Sequence, residues 1–413
     1  MPVAEHYDAF ETRDPASREK ALLEALPRRV ALARSKTPYF AELLRDIDPR
    51  EVTSRAALAL LPVTRKHRLI ELQKAAMPFG GLAAVTPGDL ARIFMSPGPI
   101  YDPEARRPDY WRLARALFAA GFRSGDLVHN CFSYHLTPAG SMFETGAQAL
   151  GCAVIPGGTG QTELQVRAIG DLRPAGYVGT PSFLRIILEK GRELGADLAS
   201  LKRALVSGEA FPPALQKEIA AFGIAAFQCY GTADLGSIAY ESEAREGLIL
   251  DEGIIVELVR PGTGDPVAAG EVGEIVVTTL NPDYPLIRFG TGDLSAELPG
   301  ASPCGRTNRR IKGWMGRADQ TTKVKGMFVH PEQIAEVVKR HPEITRARLV
   351  VSQDAQGDIM TLKGEAQSND PALARRVAES LSTITKLKGL VELVSPGSLP
   401  QDGKVIEDAR SYA

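Results

Sequence analysis

The stretch "AAFQCYGTADLG", residues 225 to 236, is an apolar run that breaks into a polar turn. Ala225 to Tyr230 has no helical repeat and reads as a buried strand ending at about Tyr230. Gly231 then permits a tight turn, which gathers an aromatic ring, a hydroxyl and a carboxylate at the strand's carboxyl end. Thr232 can donate to a phosphate there, and Asp234 can hold Mg²⁺, a hard cation that takes oxygen ligands. An ordinary strand-to-loop turn would use the same residue types, so the surrounding chain has to decide.

That chain repeats the strand signal. From about residue 126 to 230, short apolar runs recur at "LVHNCF", "CAVIP", "GYVG", "RALVS" and "AAFQCY". Between them lie helix-like stretches: "AGSMFETGAQAL", "ELQVRAIGDL", "SFLRIILEKGREL" and "PALQKEIAAF". Strands alternating with helices predict an α/β fold with a parallel sheet, and ligands in such sheets sit beyond the strands' carboxyl ends. Upstream, residues 14 to 46 read as helix, with Asp14-Pro15 as cap and first turn, Leu22, Leu26 and Val30 at helical spacing, and Pro27 predicting a kink or split. Residues 253 to 290 are β-rich ("IIVELV", "EIVVTTL") around a Gly/Pro turn, and predict a small antiparallel or barrel-like β subdomain. After about residue 318 the pattern predicts a compact α+β tail: "TTKVKGMFV" as a hairpin arm, a helix opened by Pro331, paired strands "ARLVVSQ" and "DIMTLKGE", a helix from about 371 and the strand "LVELVS".

Composition narrows the function classes. The 413 residues are enough for at least two domains. Basic and acidic residues number 49 and 50, so no charge excess points to nucleic acid. The opening "MPVAEHYDAFETRD" lacks the basic flank and apolar core of a signal peptide, and no apolar run is long enough to span a bilayer. Cys131, Cys152, Cys229 and Cys304 are scattered without a C-x-x-C pair, as expected of buried or incidental thiols in a cytoplasmic protein.

Two further stretches carry chemistry. In "PLIRFGTGDL", residues 285 to 294, Asp293 follows a glycine-rich turn from which a carboxylate can accept both hydroxyls of a ribose. In "GRADQTTKVKG", residues 316 to 326, an Arg-x-Asp precedes the tail and suits a hinge with a polar clamp. The bland readings are an Asx turn for the first and a solvated turn with a salt bridge for the second.

The order "YGTAD", "IRFGTGDL", "GRADQTTKVKG" resembles the adenylate-forming superfamily, which includes acyl-coenzyme A synthetases. Within it the chain resembles the phenylacetate–coenzyme A ligase family along its whole length, through "RSKTPYFAELL", "LPVTRKHRL", "MPFG", "GTPSFLRIILE", "SPCGRTNRRIKGWMGRADQ" and "VELVSPGSLPQDGK". The resemblance implies a large N-terminal domain, residues 1–318, with parallel sheet layers and a small β subdomain. It also implies a small mobile α+β C-terminal domain, residues 319–413. The implied chemistry is attack of a carboxylate on the α-phosphorus of ATP, then displacement of AMP by the thiol of coenzyme A.

The same resemblance implies roles. Ser207, Gly208 and Glu209 stand in the adenine-contacting loop, with Tyr230 and Gly231 beside the base. Thr232 contacts the α-phosphate, Asp234 ligates Mg²⁺ where relatives usually have glutamate, and Asp293 holds the ribose. Arg317 approaches the ribose or phosphate, Asp319 is the hinge, Gly326 lies beside the pantetheine tunnel, and Lys404 is the mobile lysine of adenylation. Tyr134 and His135 fall in the acyl-pocket region, although a structural histidine reads equally well for His135. The expected partner is a small, aromatic or similar carboxylic acid, with a homodimer allowed.

The chain also departs from the family. "FMSPGPIYDPE" stands where relatives have a Ser/Thr/Gly-rich phosphate loop ending in Gly-Lys. Only Ser96 and Gly98 remain as phosphate donors, because proline has no N–H and the lysine is gone; Arg106 and Arg107 are the nearest cations downstream. At the places of a Cys/His cluster found in many relatives stand Ser242, Ile249, Ser302 and Cys304, so no zinc site is expected. Phe328 replaces a residue that is often polar. These departures leave open two alternatives: a nucleotide- or acyl-coenzyme A-binding protein without turnover, and an adenylating enzyme with another acceptor.

Overall fold

The computed structural model describes residues 5–96, 99–318, 320, 322–324, 327–354, 357–400 and 402–410. They form two compact units. One comprises Met1–Val256, Val277–Phe289 and Leu298–Trp314; the other comprises Glu257–Val276, Gly290–Glu297 and Met315–Ala413.

The first unit is organised on a parallel sheet. Strands Ala153–Pro156, Leu127–Asn130, Gly176–Gly179, Arg203–Val206 and Ala225–Thr232 lie side by side in that order, all parallel. Helices Ala139–Ala149, Thr162–Leu172, Pro181–Leu194 and Pro213–Ala220 alternate with them, as the apolar spacing predicts. Val166, Ile169, Leu184, Ile187, Leu188 and Ile219 bury one face of three of these helices against Tyr177, Ala204 and Val206. Such burial, at about 25 cal/mol per Å² of apolar surface, holds the helices where propensity alone would not.

At the end of this sheet the chain reverses. Ala225–Thr232 pairs antiparallel with Gly236–Tyr240, from Cys229↔Tyr240 to Thr232↔Gly236, with a register shift at Tyr230/Gly231. Residues 233 to 235 are therefore a tight connection, and Asp234 stands at its tip. Gly236 has φ +73°, and a Cβ there would lie 2.6 Å from the Trp111 carbonyl oxygen, so only glycine fits.

The N-terminal helix differs in detail from its sequence reading. Pro15–Lys36 is one helix containing Pro27, not two, and its buried stripe Leu22, Leu26, Val30, Ala33 continues across the proline. It stops at Thr37, whose N–H donates to Ala33 O and whose hydroxyl accepts from Phe40 N (3.4 Å), opening the short helix Pro38–Leu43.

The tail of the second unit is the α+β body that the sequence predicts. Thr322–Val324 and Met327–Val329 form an antiparallel hairpin. A four-stranded sheet has the order Leu390–Val394, Gly357–Glu365, Arg346–Asp354, Ile406–Asp408, with its central pair antiparallel and both outer pairs parallel. Helices Pro331–Arg340 and Pro371–Thr385 close one core with it through Ile334, Val337, Leu373, Val377 and Leu381. Among the described residues no helix is long and apolar enough to cross a membrane.

Candidate active site

In the first unit a cavity of about 210 Å³ opens at the carboxyl end of the parallel sheet. Ser207, Gly208, Tyr230, Gly231, Thr232 and Ser96, all singled out from sequence, line it. Gly208 has φ +85°, which lets the loop after strand Arg203–Val206 turn along the wall, and the Ser207 hydroxyl anchors that loop by donating to Cys229 O at 2.8 Å. At Gly231 a Cβ would sit 2.5 Å from the Gly236 carbonyl oxygen, so the turn exists only with glycine there. Thr232 Oγ1 accepts from Leu235 N at 3.2 Å, which leaves its own proton to donate. Glu209 does not line the cavity: its Oε1 accepts from Ser182 N at 2.6 Å, at the start of helix Pro181–Leu194.

The rest of the cavity is apolar. Phe132 and Phe143 stack with ring centroids 4.4 Å apart, beside Leu113, Pro138, Met142 and Cys229. Burial pushes the Cys229 thiol up to about 12, so it is neutral and acts as a small apolar surface. Tyr134 and His135 are not in this lining. Both are exposed; the Tyr134 hydroxyl accepts from Asn130 Nδ2 at 2.8 Å, and His135 N donates to Ser133 Oγ at 3.2 Å. The neighbouring residues Phe132, Thr137 and Pro138 are the ones that face inward.

The proline-bearing segment that stands in place of a phosphate loop is mostly strand. Leu90–Ser96 and Ile100–Ala105 pair antiparallel, with Ser96↔Ile100 and Phe94↔Asp102. Only residues 97 to 99 connect them, and Pro97 and Gly98 lie outside the described residues. The Ser96 hydroxyl donates to Ile100 O at 3.3 Å. Arg107 does not serve as a substitute cation for the loop: its guanidinium donates to Asn281 Oδ1 at 2.6 Å and pairs with Asp283 at 3.4 Å.

Sequence reasoning missed the residue facing Asp234. Lys66 Nζ donates to Asp234 Oδ2 at 2.6 Å, from a lysine 168 residues earlier in the chain. Asp234 Oδ1 is buried and accepts no hydrogen bond from any described residue. A buried carboxylate with one oxygen held by Lys66 and the other open offers an oxygen ligand of the kind a hard divalent cation such as Mg²⁺ takes.

In the second unit, Arg317 Nη1 pairs with Asp293 Oδ1 at 3.1 Å, and the two residues also form a β-bridge. Asp293 N donates to Thr291 Oγ1 at 3.1 Å, which fixes the turn that presents the carboxylate. Lys404 is exposed and lines a cleft of about 730 Å³ with Arg260, Glu271, Glu332, Lys339 and Arg346. Its turn is gripped by Gln320, a second residue the sequence did not reveal. Gln320 Nε2 donates to Gly403 O at 3.1 Å, and its Oε1 accepts from Val405 N at 2.5 Å and Ile406 N at 2.7 Å. Asp319 and Gly326 lie outside the described residues.

Of the residues from which the sequence predicts no zinc site, Ile249 is a buried strand residue, and the Ser302 hydroxyl lies 3.0 Å from Cys304 Sγ. Burial raises the Cys304 thiol, but hydrogen bonds with Ser242, Ser302 and Arg306 outweigh it and hold the thiol below its usual value.

Comparison with known proteins gives a consistent picture. The family profile described as "AMP-binding enzyme" matches residues 112–281. A phenylacetate-coenzyme A ligase of Thermus thermophilus is 30% identical over 428 aligned positions, covering 94% of this chain and 95% of the relative. One from Escherichia coli is 32% identical and covers 72% of each chain. Among solved structures, a 2-hydroxyisobutyryl-CoA ligase in an open conformation with 2-HIB-AMP and CoA aligns with a TM-score of 0.73 and 25% identity. That alignment covers 97% of this chain and 93% of the other.

Proposed function

The chain belongs to the phenylacetate–coenzyme A ligase family, and on that premise we infer that it is an AMP-forming acid–coenzyme A ligase. A carboxylate displaces pyrophosphate from ATP to give an acyl-adenylate, and the thiol of coenzyme A then displaces AMP to give the thioester. The observation that carries this reading is one cavity in which the Ser207–Gly208 and Tyr230–Thr232 turns meet two stacked phenylalanines. A nucleotide-facing wall and an apolar, aromatic wall are what joining a small aryl-type acid to AMP requires.

The residues divide the work. Phe132 and Phe143 would hold the acid's apolar body, and the narrow cavity would exclude water from the acyl-adenylate. The Tyr230 ring would flank the adenine, and Thr232 Oγ would donate to the α-phosphate oxygen that gains charge during attack. Asp293, held in place by its ion pair with Arg317, would accept from the ribose hydroxyls. Asp234 would hold Mg²⁺, which when bound neutralises charge on the phosphates. Residues 319–413 would act as the mobile domain, carrying Lys404 to the reacting carboxylate by rotation about Asp319 and withdrawing it for thioester formation. Gln320, next to that hinge, would keep the Lys404 turn rigid as it moves.

All four cysteines are free thiols, as in a reducing compartment, which supports a cytoplasmic location. The test of the reading is acid-dependent ATP–pyrophosphate exchange across aryl and alkyl carboxylates, followed by thioester formation with coenzyme A. Exchange without thioester would point to another acceptor, and AMP binding without exchange to a binding protein.

A further inference from the structure

The turn that carries Thr232 is held from behind by a residue that none of the roles above uses. Arg112 stands between Trp111, whose carbonyl oxygen accepts from Ser237 N at 2.9 Å, and Leu113, which lines the cavity. Its Nη2 donates to Leu235 O at 2.6 Å and to Ser237 O at 2.9 Å, the carbonyls on either side of Gly236. Its Nε donates to Asp251 Oδ1 at 2.9 Å. One planar guanidinium thus spans two carbonyls of the turn and an acid on a neighbouring segment, a reach that its fixed fork of donors allows.

Leu235, Ser237 and Asp251 are all buried. Asp251 follows strand Leu248–Leu250, which pairs with Gly236–Tyr240 through Leu250↔Ala239, and Asp251 Oδ1 also accepts from Gly253 N at 2.9 Å. The backbone is bent to bring Arg112 to these partners. Its φ is +61° and that of Asp109 is +45°, a region that costs a residue with a side chain. Asp109 fixes the bend: its carbonyl oxygen accepts from Arg112 N at 2.9 Å, and its Oδ1 accepts from Leu113 N at 2.7 Å. Strain of this kind persists only where the surroundings determine it, and here it sends Arg112 to the turn while Leu113 faces the cavity. Arg112 also borders a second cavity, of about 360 Å³, together with Tyr7, Arg115 and Asp251.

We propose that Arg112 is a positioning residue for adenylation, which aims the Thr232 hydroxyl by fixing the turn around it. The link is a short chain of hydrogen bonds. Arg112 holds Leu235 by its carbonyl oxygen, and Leu235 N in turn donates to Thr232 Oγ1 at 3.2 Å. A turn released at Leu235 and Ser237 would carry the threonine oxygen with it, and a displacement of about 1 Å at a reacting centre costs on the order of a hundredfold in rate. The apolar wall is built elsewhere, from Phe132, Met142 and Phe143, so binding of the acid should not depend on Arg112. The proposal rests on the reading of Thr232 as the donor to the α-phosphate and adds the residue that places it.

The test is acid-dependent ATP–pyrophosphate exchange by the full chain carrying Arg112→Ala, with Thr232→Ala alongside and a circular dichroism melt to show that each is folded. The expected result is an exchange kcat about a hundredfold lower in Arg112→Ala, with KM for the acid unchanged. Methylguanidinium, admitted through the cavity that Arg112 borders, should recover most of the lost rate in Arg112→Ala and none in Thr232→Ala. A wild-type kcat in folded Arg112→Ala overturns the proposal. So does a loss that methylguanidinium leaves in place or that comes with a raised KM, because the arginine then serves the fold. If Arg112→Ala does not fold, Arg112→Lys decides. Its ammonium can pair with Asp251 but lacks the fork that spans both carbonyls, so a loss at unchanged KM supports the proposal and a wild-type kcat overturns it. If Thr232→Ala alone exchanges like the wild type, the reading of Thr232 fails, while rescue of Arg112→Ala still assigns Arg112 to the turn. If the wild type shows no exchange, the ligase reading fails and calorimetry with AMP decides. A loss of AMP affinity in Arg112→Ala that matches the loss in Thr232→Ala upholds the proposal; wild-type affinity in Arg112→Ala, or a wild type that binds no AMP, overturns it.

Discussion

Two walls of the same cavity are specified in different ways. In the Ala225–Gly236 turn, a Cβ at Gly231 would lie 2.5 Å from the Gly236 carbonyl oxygen, and one at Gly236 would lie 2.6 Å from the Trp111 carbonyl oxygen. Each backbone approach is closed to every residue but glycine, and Thr232 and Asp234 have one place to be. The Leu90–Ala105 hairpin is a regular antiparallel ladder from Ser96↔Ile100 to Arg92↔Glu104, with a register shift only at Leu90/Arg92, and many sequences would pair in it. On the proposed reading the first wall would face the base and α-phosphate, and the hairpin, which reaches the cavity through Ser96, would face the outer phosphates. That reading predicts that variants will separate recognition of AMP from recognition of pyrophosphate.

The largest effect is expected at Lys404, proposed above as the lysine of adenylation. Lys404→Ala should slow acyl-adenylate formation by about a hundredfold or more, the scale of losing a positioned transition-state donor. Thioester formation from a supplied acyl-adenylate should be nearly unchanged, and single-turnover rates of the two half-reactions check this. Next is Asp293→Ala, which should weaken AMP and ATP equally by about 1.5–3 kcal/mol, since both contain the ribose. Calorimetry giving a loss for ATP but none for AMP would break the division between the two walls.

Smaller effects should follow at the supports. Gln320→Ala removes three hydrogen bonds to the Lys404 turn. Adenylation should fall roughly tenfold, a cost of about 1–2 kcal/mol, again with thioester formation spared, and Gln320→Glu should restore part of the rate because it can still accept from the two amides. Equal losses in both half-reactions would mean that Gln320 supports the fold rather than the lysine. The smallest effect is expected for Arg107→Ala. Its guanidinium is occupied by Asn281 and Asp283 at a partly exposed pair, so ATP affinity should change by less than about threefold. A large loss specific to ATP would show that Arg107 replaces the missing lysine after all.

Much of this was legible in the sequence where the signal is local. The alternation of apolar runs with helical periods marks four helices between five parallel strands, and Pro331 and Asp370-Pro371 mark the starts of the tail's helices. The glycines of "YGTADLG" mark the turn because a glycine-only geometry needs glycine. The failures are contacts between distant positions. Nothing near Lys66 announces Asp234, and nothing near Gln320 announces the turn at Lys404. The density of prolines in "MSPGPIYDPE" reads as a loop, although Phe94, Ser96 and Ile100 are buried positions of a hairpin. Tyr134 and His135 look like pocket residues by type, yet the inward-facing positions are Phe132, Thr137 and Pro138, because Tyr134 to Leu136 bulge to the surface with Leu136 at φ 63°. Side-chain direction in an irregular segment is set by tertiary contacts, which one sequence does not display.

The measurement that tests the central claim most directly is product analysis on the wild-type protein with ATP, Mg²⁺, coenzyme A and a panel of small aryl and alkyl acids. The account predicts AMP, pyrophosphate and an acyl-coenzyme A thioester in equal amounts, each dependent on the acid and strongest for an uncharged aromatic body that fits between Phe132 and Phe143. ATP consumption to ADP, or binding of AMP with no acid-dependent pyrophosphate release across the panel, would contradict it.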